Sequence, residues 1–251
     1  MSDSIVFSDY SGYYQLLYRD KDYVGEALYI KELLSRHNIE SGNILEFGSG
    51  TGEHGRLLAG HGYTVHGIER SATMLAKTDL TEGFTCQQGD ICTVKLGRKY
   101  NVILSLFHVV SYQVGNSEIQ GVFENAALHL SCGGLFIFDF WYTPAVYAQM
   151  PSVRVKRCSD EYTDLVRIAE PEIYVNESRV DVTYTIFARD KADGNTRVFK
   201  ERHPMRHFSL QEIDLLAQVA GFRRVTTEEF LTKDPPGPQT WGVCVTLEKV
   251  Y

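Results

Sequence analysis

The sequence has little that suits a disulfide scaffold, a membrane span or a nucleic-acid surface. Its five cysteines, Cys86, Cys92, Cys132, Cys158 and Cys244, are odd in number, scattered and without a CxxC pair. That pattern excludes a disulfide frame and makes buried free thiols the expectation. No apolar run is long enough to span a bilayer, and Met1-Ser2-Asp3-Ser4 is not a basic stretch leading into an apolar one, so a soluble, cytoplasmic protein is expected. Positive charge is in deficit. With 25 Lys and Arg against 32 Asp and Glu, the formal net charge is -7, which disfavours phosphate-gripping surfaces. Repeats and low-complexity tails are missing too. At 251 residues and 43% hydrophobic content, the chain can bury one sizeable core and is expected to form one domain.

What is present is organised around Asn43-Ile44-Leu45-Glu46-Phe47-Gly48-Ser49-Gly50-Thr51-Gly52. A short apolar run ending in an acid reads as a strand, and the alternate glycines after it form a turn that a ligand can approach closely. Residues 53–60 then carry helix formers. Strand, glycine turn and helix at the head of an α/β sheet form the place where adenine-containing cofactors bind.

Upstream, Tyr10, Tyr13, Tyr14 and Tyr18 crowd one segment. The spacing of Tyr13, Tyr14 and Tyr18 suits an amphipathic lid packed on the core, whereas Tyr10, beside Gly12, is freer to present its hydroxyl. Residues 24–36 read as a covering helix. Downstream, 63–69 reads as a second strand ending in Glu69, about twenty residues past the first glycine, a spacing that suits a carboxylate on ribose hydroxyls. A short helix over 71–80, a third strand over 84–90 ending in Asp90, a fourth over 100–107, a crossover helix over 117–130 and a fifth strand over 134–140 follow. Near-continuous apolar strands alternating with helices indicate a parallel sheet covered on both faces. After Pro151 the pattern changes to polar and apolar alternation over 153–155, 165–169, 178–188 and 196–206, which indicates an antiparallel β insertion with a hairpin turn at 191–195. A helix opening at Ser209-Leu210-Gln211-Glu212 and two strands, 224–231 and 241–247, close the chain.

The loop lacks two features that would assign it elsewhere. A nicotinamide fingerprint needs glycine where Glu53 stands, and an acid there would repel a pyrophosphate at the helix N-terminus. Nor does Lys-Ser or Lys-Thr end the loop as a nucleoside-triphosphate site requires.

Leu45-Glu46-Phe47-Gly48-Ser49-Gly50-Thr51-Gly52, then Glu69, then Asp90 with Ile91 resemble in order the motifs of class I S-adenosylmethionine-dependent methyltransferases. The resemblance covers 41–140 and resumes in the two terminal strands. Asp9-Tyr10-Ser11-Gly12, Lys21-Asp22-Tyr23, the loop 107–112 and the β insertion are similar to the deoxysugar N,N-dimethyltransferase branch, and the segment 138–142 to related proteins of bacterial surface-polysaccharide pathways. The resemblance implies an α/β, Rossmann-like methyltransferase fold, with a mostly parallel seven-stranded sheet and an antiparallel β insertion after the fifth strand. It divides the chain into a lid and helix (1–40), a cofactor-binding core (41–150), the insertion (151–208) and a closing helix with strands (209–251). The implied cofactor is S-adenosylmethionine, leaving as S-adenosylhomocysteine, with no metal. On its side stand Tyr14, Tyr23, Glu46, Gly48, Ser49, Gly50, Glu69, Arg70, Met74, Asp90, Ile91 and Leu106.

For the acceptor side the candidates are Tyr10, His108, Tyr112 and Asp139. Imidazole titrates near neutrality, so His108, just after the fourth strand, is a candidate base; a hydrogen-bonded structural histidine is the alternative. Tyr112 stands where the sugar N-methyltransferases carry histidine, and a phenol with an ordinary pKa of about 10 is a poor base. Asp139 suits either an acceptor ammonium or hydroxyl, or a structural hydrogen bond. His203 with His207, and His61 with His66, lack the carboxylate or thiolate set of a metal site, so solvated or cross-strand histidines suffice. Arg154, Lys156, Arg157, Arg202 and Arg206 read as a solvated face, or as contacts to the diphosphate of a nucleotide-linked sugar. The expected partner is a small-molecule acceptor, such as a nucleotide sugar, with neither nucleic acid nor membrane involved and with room for a homodimer. A free small amine as acceptor, or a binding module without turnover, are the rival readings.

Overall fold

The computed structural model describes residues 10–251; Met1-Ser2-Asp3-Ser4 and Asp9, noted above, lie outside them. A 3-10 turn at Tyr10–Tyr13 runs into α1 (Tyr14–Leu17), and α2 (Tyr23–Arg36) starts behind Asp22, whose side chain accepts Gly25 N–H. The core alternates β1 (Gly42–Phe47), α3 (Glu53–Gly60), β2 (Tyr63–Glu69), α4 (Ala72–Leu75), β3 (Phe84–Gln88), β4 (Tyr100–Ser105), α5 (Asn116–His129) and β5 (Leu130–Tyr142). Helix α4 is shorter than the spacing suggested. The sequence reading also passed over α6 (Thr143–Gln149), which carries Pro144 in its first turn, where a missing N–H does no harm.

Strands β3-β2-β1-β4-β5 run parallel in that order; β11 (Gly242–Lys249) joins β5 antiparallel, and β10 (Phe222–Glu229) flanks β11. These seven strands form the mostly parallel, Rossmann-like sheet that the resemblance implies. Between α6 and α7 (Leu210–Val219) lie β6 (Arg154–Ser159), β7 (Thr163–Tyr174), β8 (Arg179–Asp190) and β9 (Thr196–Phe208), an antiparallel meander. The meander is continuous with the core because β5 forks at its end: Trp141 and Tyr142 pair in parallel with His207 and Phe208.

Side-chain alternation on the strands fills both faces. On β5, Phe136, Phe138 and Phe140 face α5 and α7, whereas Leu135 and Ile137 face the α2 side. Asp139 therefore falls on the α2 face at the carboxyl end of the sheet. A third cluster joins Tyr10, Tyr14 and Leu17 of the lid to Met74 and to Leu165 and Ile186 of the insertion. The lid is thus closed by apolar burial between the cofactor loop and the meander. All five cysteines are free, but only Cys244 is buried and Cys132 is exposed, which corrects the expectation of buried thiols throughout. Among the described residues, no helix is long and apolar enough to cross a membrane, and no group of three His, Cys, Asp or Glu side chains could hold a metal.

Candidate active site

The glycine turn is anchored from below. Gly48, Gly50 and Gly52 have φ of 71, 57 and 83°, a region glycine enters without strain. Gly48 and Ser49 N–H both donate to Ile68 O, at 2.8 and 3.1 Å, which ties the turn to the end of β2. Glu69 then accepts Gly50 N–H on Oε2 at 2.8 Å and Ser71 N–H on Oε1 at 2.7 Å. Burial raises the Glu69 carboxyl above its ordinary value against these backbone donors. Each of its oxygens keeps a second lone pair, enough for a pair of ribose hydroxyls.

The turn fits an adenosyl group with a flexible methionyl arm. A Cβ at Gly48 would sit 2.5 Å from Val109, so that side is closed, whereas one at Gly50 would meet only Met74 Cε, at 3.6 Å. Ser49 Oγ is buried with no hydrogen-bond partner. Asp90, partly buried, accepts Cys92 N–H at 2.8 Å and sits beside buried Ile91; Leu106 is buried at the end of β4 and Arg70 is exposed.

Glu46 lies elsewhere than its place in the motif suggested. Strand alternation turns it under α3, where a Cβ on Gly55 would be 2.7 Å from its Oε2, and that oxygen has no hydrogen-bond partner. Burial and the neighbouring Glu69 push its carboxyl up to about 8. His54 Nδ1 is 3.9 Å from Glu46 Oε1, and His54 Nε2 is 2.6 Å from Glu26, which also pairs with Lys21. Lys21 Nζ in turn lies 4.6 Å from the Tyr23 ring and 4.4 Å from the Phe107 ring. A buried chain of titratable groups therefore backs the loop, and its middle members, His54 and Glu26, carry no motif that would single them out in the sequence.

Tyr10 is corrected in its surroundings. It is fully buried, and its hydroxyl accepts from Arg167 Nη1 at 2.9 Å and shares a hydrogen bond with Tyr18 at 3.1 Å. The meander closes over it, so burial raises its pKa well above the usual value, with Tyr18 adding to the effect. Tyr14, edge-on to Tyr10 with ring centroids 6.4 Å apart, is hydrogen-bonded to Tyr23. Arg167, which the sequence reading left unremarked, stacks on the Tyr184 ring at 4.8 Å and keeps a buried Nε without an acceptor.

Two further groups sit on the segment after β4, at the carboxyl end of the sheet. Phe107 and His108 both take positive φ, 65 and 61°, a conformation uncommon for such residues. The bend brings His108 N–H onto both carboxylate oxygens of Asp139, at 3.1 and 3.2 Å, and His108 Nδ1 to 2.6 Å from Asp139 Oδ2. The imidazole is 25% exposed. Burial would raise Asp139, but the charge and hydrogen bonds of His108 outweigh it and hold the carboxyl below the usual range. On the 3-10 turn Val109–Tyr112, Tyr112 Oη lies 2.9 Å from His203 Nδ1, and His203 Nε2 lies 3.0 Å from Glu201 Oε1.

His203 and His207 are 1% and 0% exposed, so of the two readings the solvated one fails, and His203 instead meets Tyr184 of the neighbouring strand, ring centroids 4.8 Å apart. The signal was available: on β9, buried Glu201, His203, Met205 and His207 alternate with Lys200, Arg202, Pro204 and Arg206, which are not buried. Polar residues at inward positions of a half-buried strand need buried partners, and here Tyr112, Tyr10 and Thr143 supply them. Of the basic residues, Lys156 donates to Leu17 O, Arg202 pairs with Asp181 and Arg206 with Glu212; Arg154 and Arg157 are exposed.

Residues 44–134 match the family model described as a methyltransferase domain. The chain is 30% identical over 234 residues to a dTDP-3-amino-3,4,6-trideoxy-alpha-D-glucopyranose N,N-dimethyltransferase of Streptomyces venezuelae, covering 91% of this chain and 94% of that protein. It belongs to the S-adenosylmethionine-dependent methyltransferases. The methyltransferase is also 27% identical over 237 residues to a dTDP-3-amino-3,6-dideoxy-alpha-D-glucopyranose N,N-dimethyltransferase of Streptomyces fradiae, covering 92% of this chain and 90% of that one. Its fold is that of a sugar N-methyltransferase from Streptoalloteichus, with a TM-score of 0.80, 20% identity, and coverage of 100% of this chain and 98% of that one.

S-adenosylmethionine, when bound, would supply a methyl carbon activated by a sulfonium, open to in-line attack by the acceptor's electron pair with the thioether as leaving group. The methyltransferase has to align the two and exclude water. Glu69 and Asp90 would hold the adenosyl side and the turn at Gly48–Gly50 the methionyl arm. Because positive charge would be quenched as the methyl leaves, aromatic walls suit the reacting end better than a full counter-charge, and Tyr14, Tyr18 and Phe107, clustered with Met74, would be available for one.

Proposed function

We propose that this methyltransferase methylates the amino group of a nucleotide-linked deoxysugar. The observation that carries the reading is the extent of the likeness: two dTDP-amino-sugar N,N-dimethyltransferases are matched over 91% and 92% of this chain, a span too long to leave out the insertion over the site. The Asp139–His108 pair and Tyr112, with His203 behind it, supply groups that take a proton from an ammonium and orient the free amine. In this reading Tyr10, His108, Tyr112 and Asp139 serve the acceptor. Gly48, Ser49, Gly50, Glu69, Met74, Asp90, Ile91 and Leu106, with Tyr14, Tyr23 and Arg70 at the entrance, serve the cofactor, and Glu46 serves from behind the loop. The chain acts as one domain of the four segments given above. A net charge of -7 supports a small-molecule acceptor over nucleic acid or an anionic membrane surface. S-adenosylmethionine is a cytoplasmic metabolite, which supports a cytoplasmic site of action, and a homodimer is the assembly to look for by light scattering.

The test is S-adenosylhomocysteine release, with mass spectrometry of the acceptor, on dTDP-linked 3-amino and 4-amino deoxysugars, the matching hydroxy sugars and simple amines such as glycine. The expected result is one or two methyl gains on an amino sugar nucleotide. Faster turnover of the simple amines, or turnover of hydroxy sugars only, would overturn the reading; tight cofactor binding with no turnover on any acceptor would favour a binding module.

A further inference from the structure

The insertion contributes a buried acid and imidazole to the reacting face, through a residue of the core. Glu201 and His203, both on β9, are 3% and 1% exposed. Their registers oppose Tyr184 and Val182 of β8, which keeps both side chains on the face turned toward the core. His203 Nε2 is 3.0 Å from Glu201 Oε1, and Glu201 Oε2 accepts Tyr10 N–H at 3.2 Å. His203 Nδ1 is 2.9 Å from Tyr112 Oη. Carboxylate, imidazole and hydroxyl thus stand in line, with the hydroxyl on the turn that also carries His108, at the carboxyl edge of the sheet.

Geometry of this kind lets a poor base act. A phenol alone cannot take a proton near neutrality, but it can pass its own proton on while receiving one, provided the imidazole behind it is held in one tautomer and its charge is met. Glu201 meets both needs at Nε2. Among the described residues, the groups facing His203 include Tyr112 from the turn, Tyr10 from the lid (ring centroids 5.3 Å), Tyr184 from β8 (4.8 Å) and Glu201 from its own strand. Arg167 of β7 is held on the Tyr10 and Tyr18 hydroxyls.

We infer that Tyr112, His203 and Glu201 form a proton relay for the acceptor, with Tyr112 the contacting group and His203 and Glu201 its positioning residues. The inference rests on the amino-acceptor reading. The acceptor ammonium gives its N–H proton to Tyr112 Oη while the Tyr112 O–H proton moves to His203 Nδ1; the amine gains the lone pair it needs, and the imidazolium stays against Glu201. Two protons move, one positive charge passes from the ammonium to the imidazole, and no electron is transferred. After methyl transfer the product leaves as the methylated ammonium, and the imidazolium of His203 returns its proton to solvent through Tyr112, which resets the relay.

The experiment compares steady-state kinetics over pH for the full chain and for Tyr112→Phe, His203→Gln and Glu201→Gln, using a dTDP-amino sugar the parent turns over. Calorimetry with S-adenosylhomocysteine confirms that each variant retains an intact cofactor site. Tyr112→Phe and His203→Gln should each lower kcat by about 10²-fold, in the range of general-base losses, with KM little changed, and the double variant should be no worse than either single one. Tyr112→His on the His203→Gln background should restore at least about tenfold, because imidazole at 112 takes the proton itself; a merely structural His203 would not be rescued this way. Unchanged kcat in Tyr112→Phe, multiplying losses in the double variant, or no rescue with cofactor affinity intact would overturn the relay. A parent inactive on every amino sugar would instead overturn the amino-acceptor reading.

Discussion

His108 Nδ1 lies 2.6 Å from Asp139 Oδ2, and the carboxylate that receives it is 1% exposed. The contact depends on two successive residues in the left-handed region, Phe107 and His108, which fold the chain back over the end of β5. Strain of that kind, of the order of 1–3 kcal/mol per residue, persists where the surroundings over-determine it, and here the two backbone hydrogen bonds to Asp139 do so.

Asp139→Asn should destabilise the protein by about 1.5–3 kcal/mol at neutral pH, the usual range for a hydrogen bond to a charged group. The folded carboxyl is held below its ordinary value, so its contribution is complete above the unfolded pKa of about 3.9 and fades as pH falls toward the lower folded one. Thermal melts from pH 7 down to pH 3 should show the gap between parent and variant narrowing. A gap that stays constant or widens would mean that the His108 contact does not set the charge of Asp139.

Glu46 gives the opposite sign. Its folded carboxyl sits at about 8, above an unfolded value of about 4.3, so the folded state holds an extra proton between them and loses stability as pH rises through that window. Glu46→Gln, which keeps the neutral shape, should flatten the fall in melting temperature between pH 5 and pH 8.5 by at least about 2–4 °C, the equivalent of about 1 kcal/mol in a chain of this size. Parallel curves for parent and variant would remove Glu46 as the source.

Gly50→Val and Glu69→Ala should each weaken S-adenosylhomocysteine binding by about tenfold or more in calorimetry. Valine at φ 57° is strained, and alanine at 69 leaves the N–H groups of Gly50 and Ser71 without their acceptor. Equal affinities in both variants would move the cofactor away from this turn.

Tyr10→Phe should lower turnover more than cofactor affinity. The hydroxyl it removes is the shorter of two acceptors for Arg167 Nη1 between the lid and the meander, the other being Tyr18 Oη at 3.4 Å. The loss is therefore expected to fall toward the lower end of the about 1–3 kcal/mol for an unpaired buried donor. Parent-like kcat with a parent-like melting temperature would take Tyr10 out of the site wall.

Much of this architecture is legible in the chain. The turn at Gly48–Gly52, the acids Glu69 and Asp90 at strand ends, and the change of period after Pro151 are local features, set by φ preferences and by alternation between neighbours. Glu46 was harder to place, since the same alternation that makes β1 a strand decides which face each residue takes, and only α3 packed against that face shows what it meets. Tyr10 reads as free because it precedes the helical spacing of Tyr13, Tyr14 and Tyr18, beside Gly12; Tyr14 and Tyr18 do touch it, but Arg167 and Glu201, which complete its burial, are 157 and 191 residues away.

The sequence by itself determined the class of sheet, the cofactor turn and the family of reaction, because backbone geometry and strand-end acids are written in contiguous residues. Only the tertiary structure decided which imidazoles line the site. His203 lies 91 residues from Tyr112 and His108 lies 31 from Asp139, and pairings at such separations come from the forked end of β5 and the meander it launches. Contacts of that range are made by packing, which no local preference encodes.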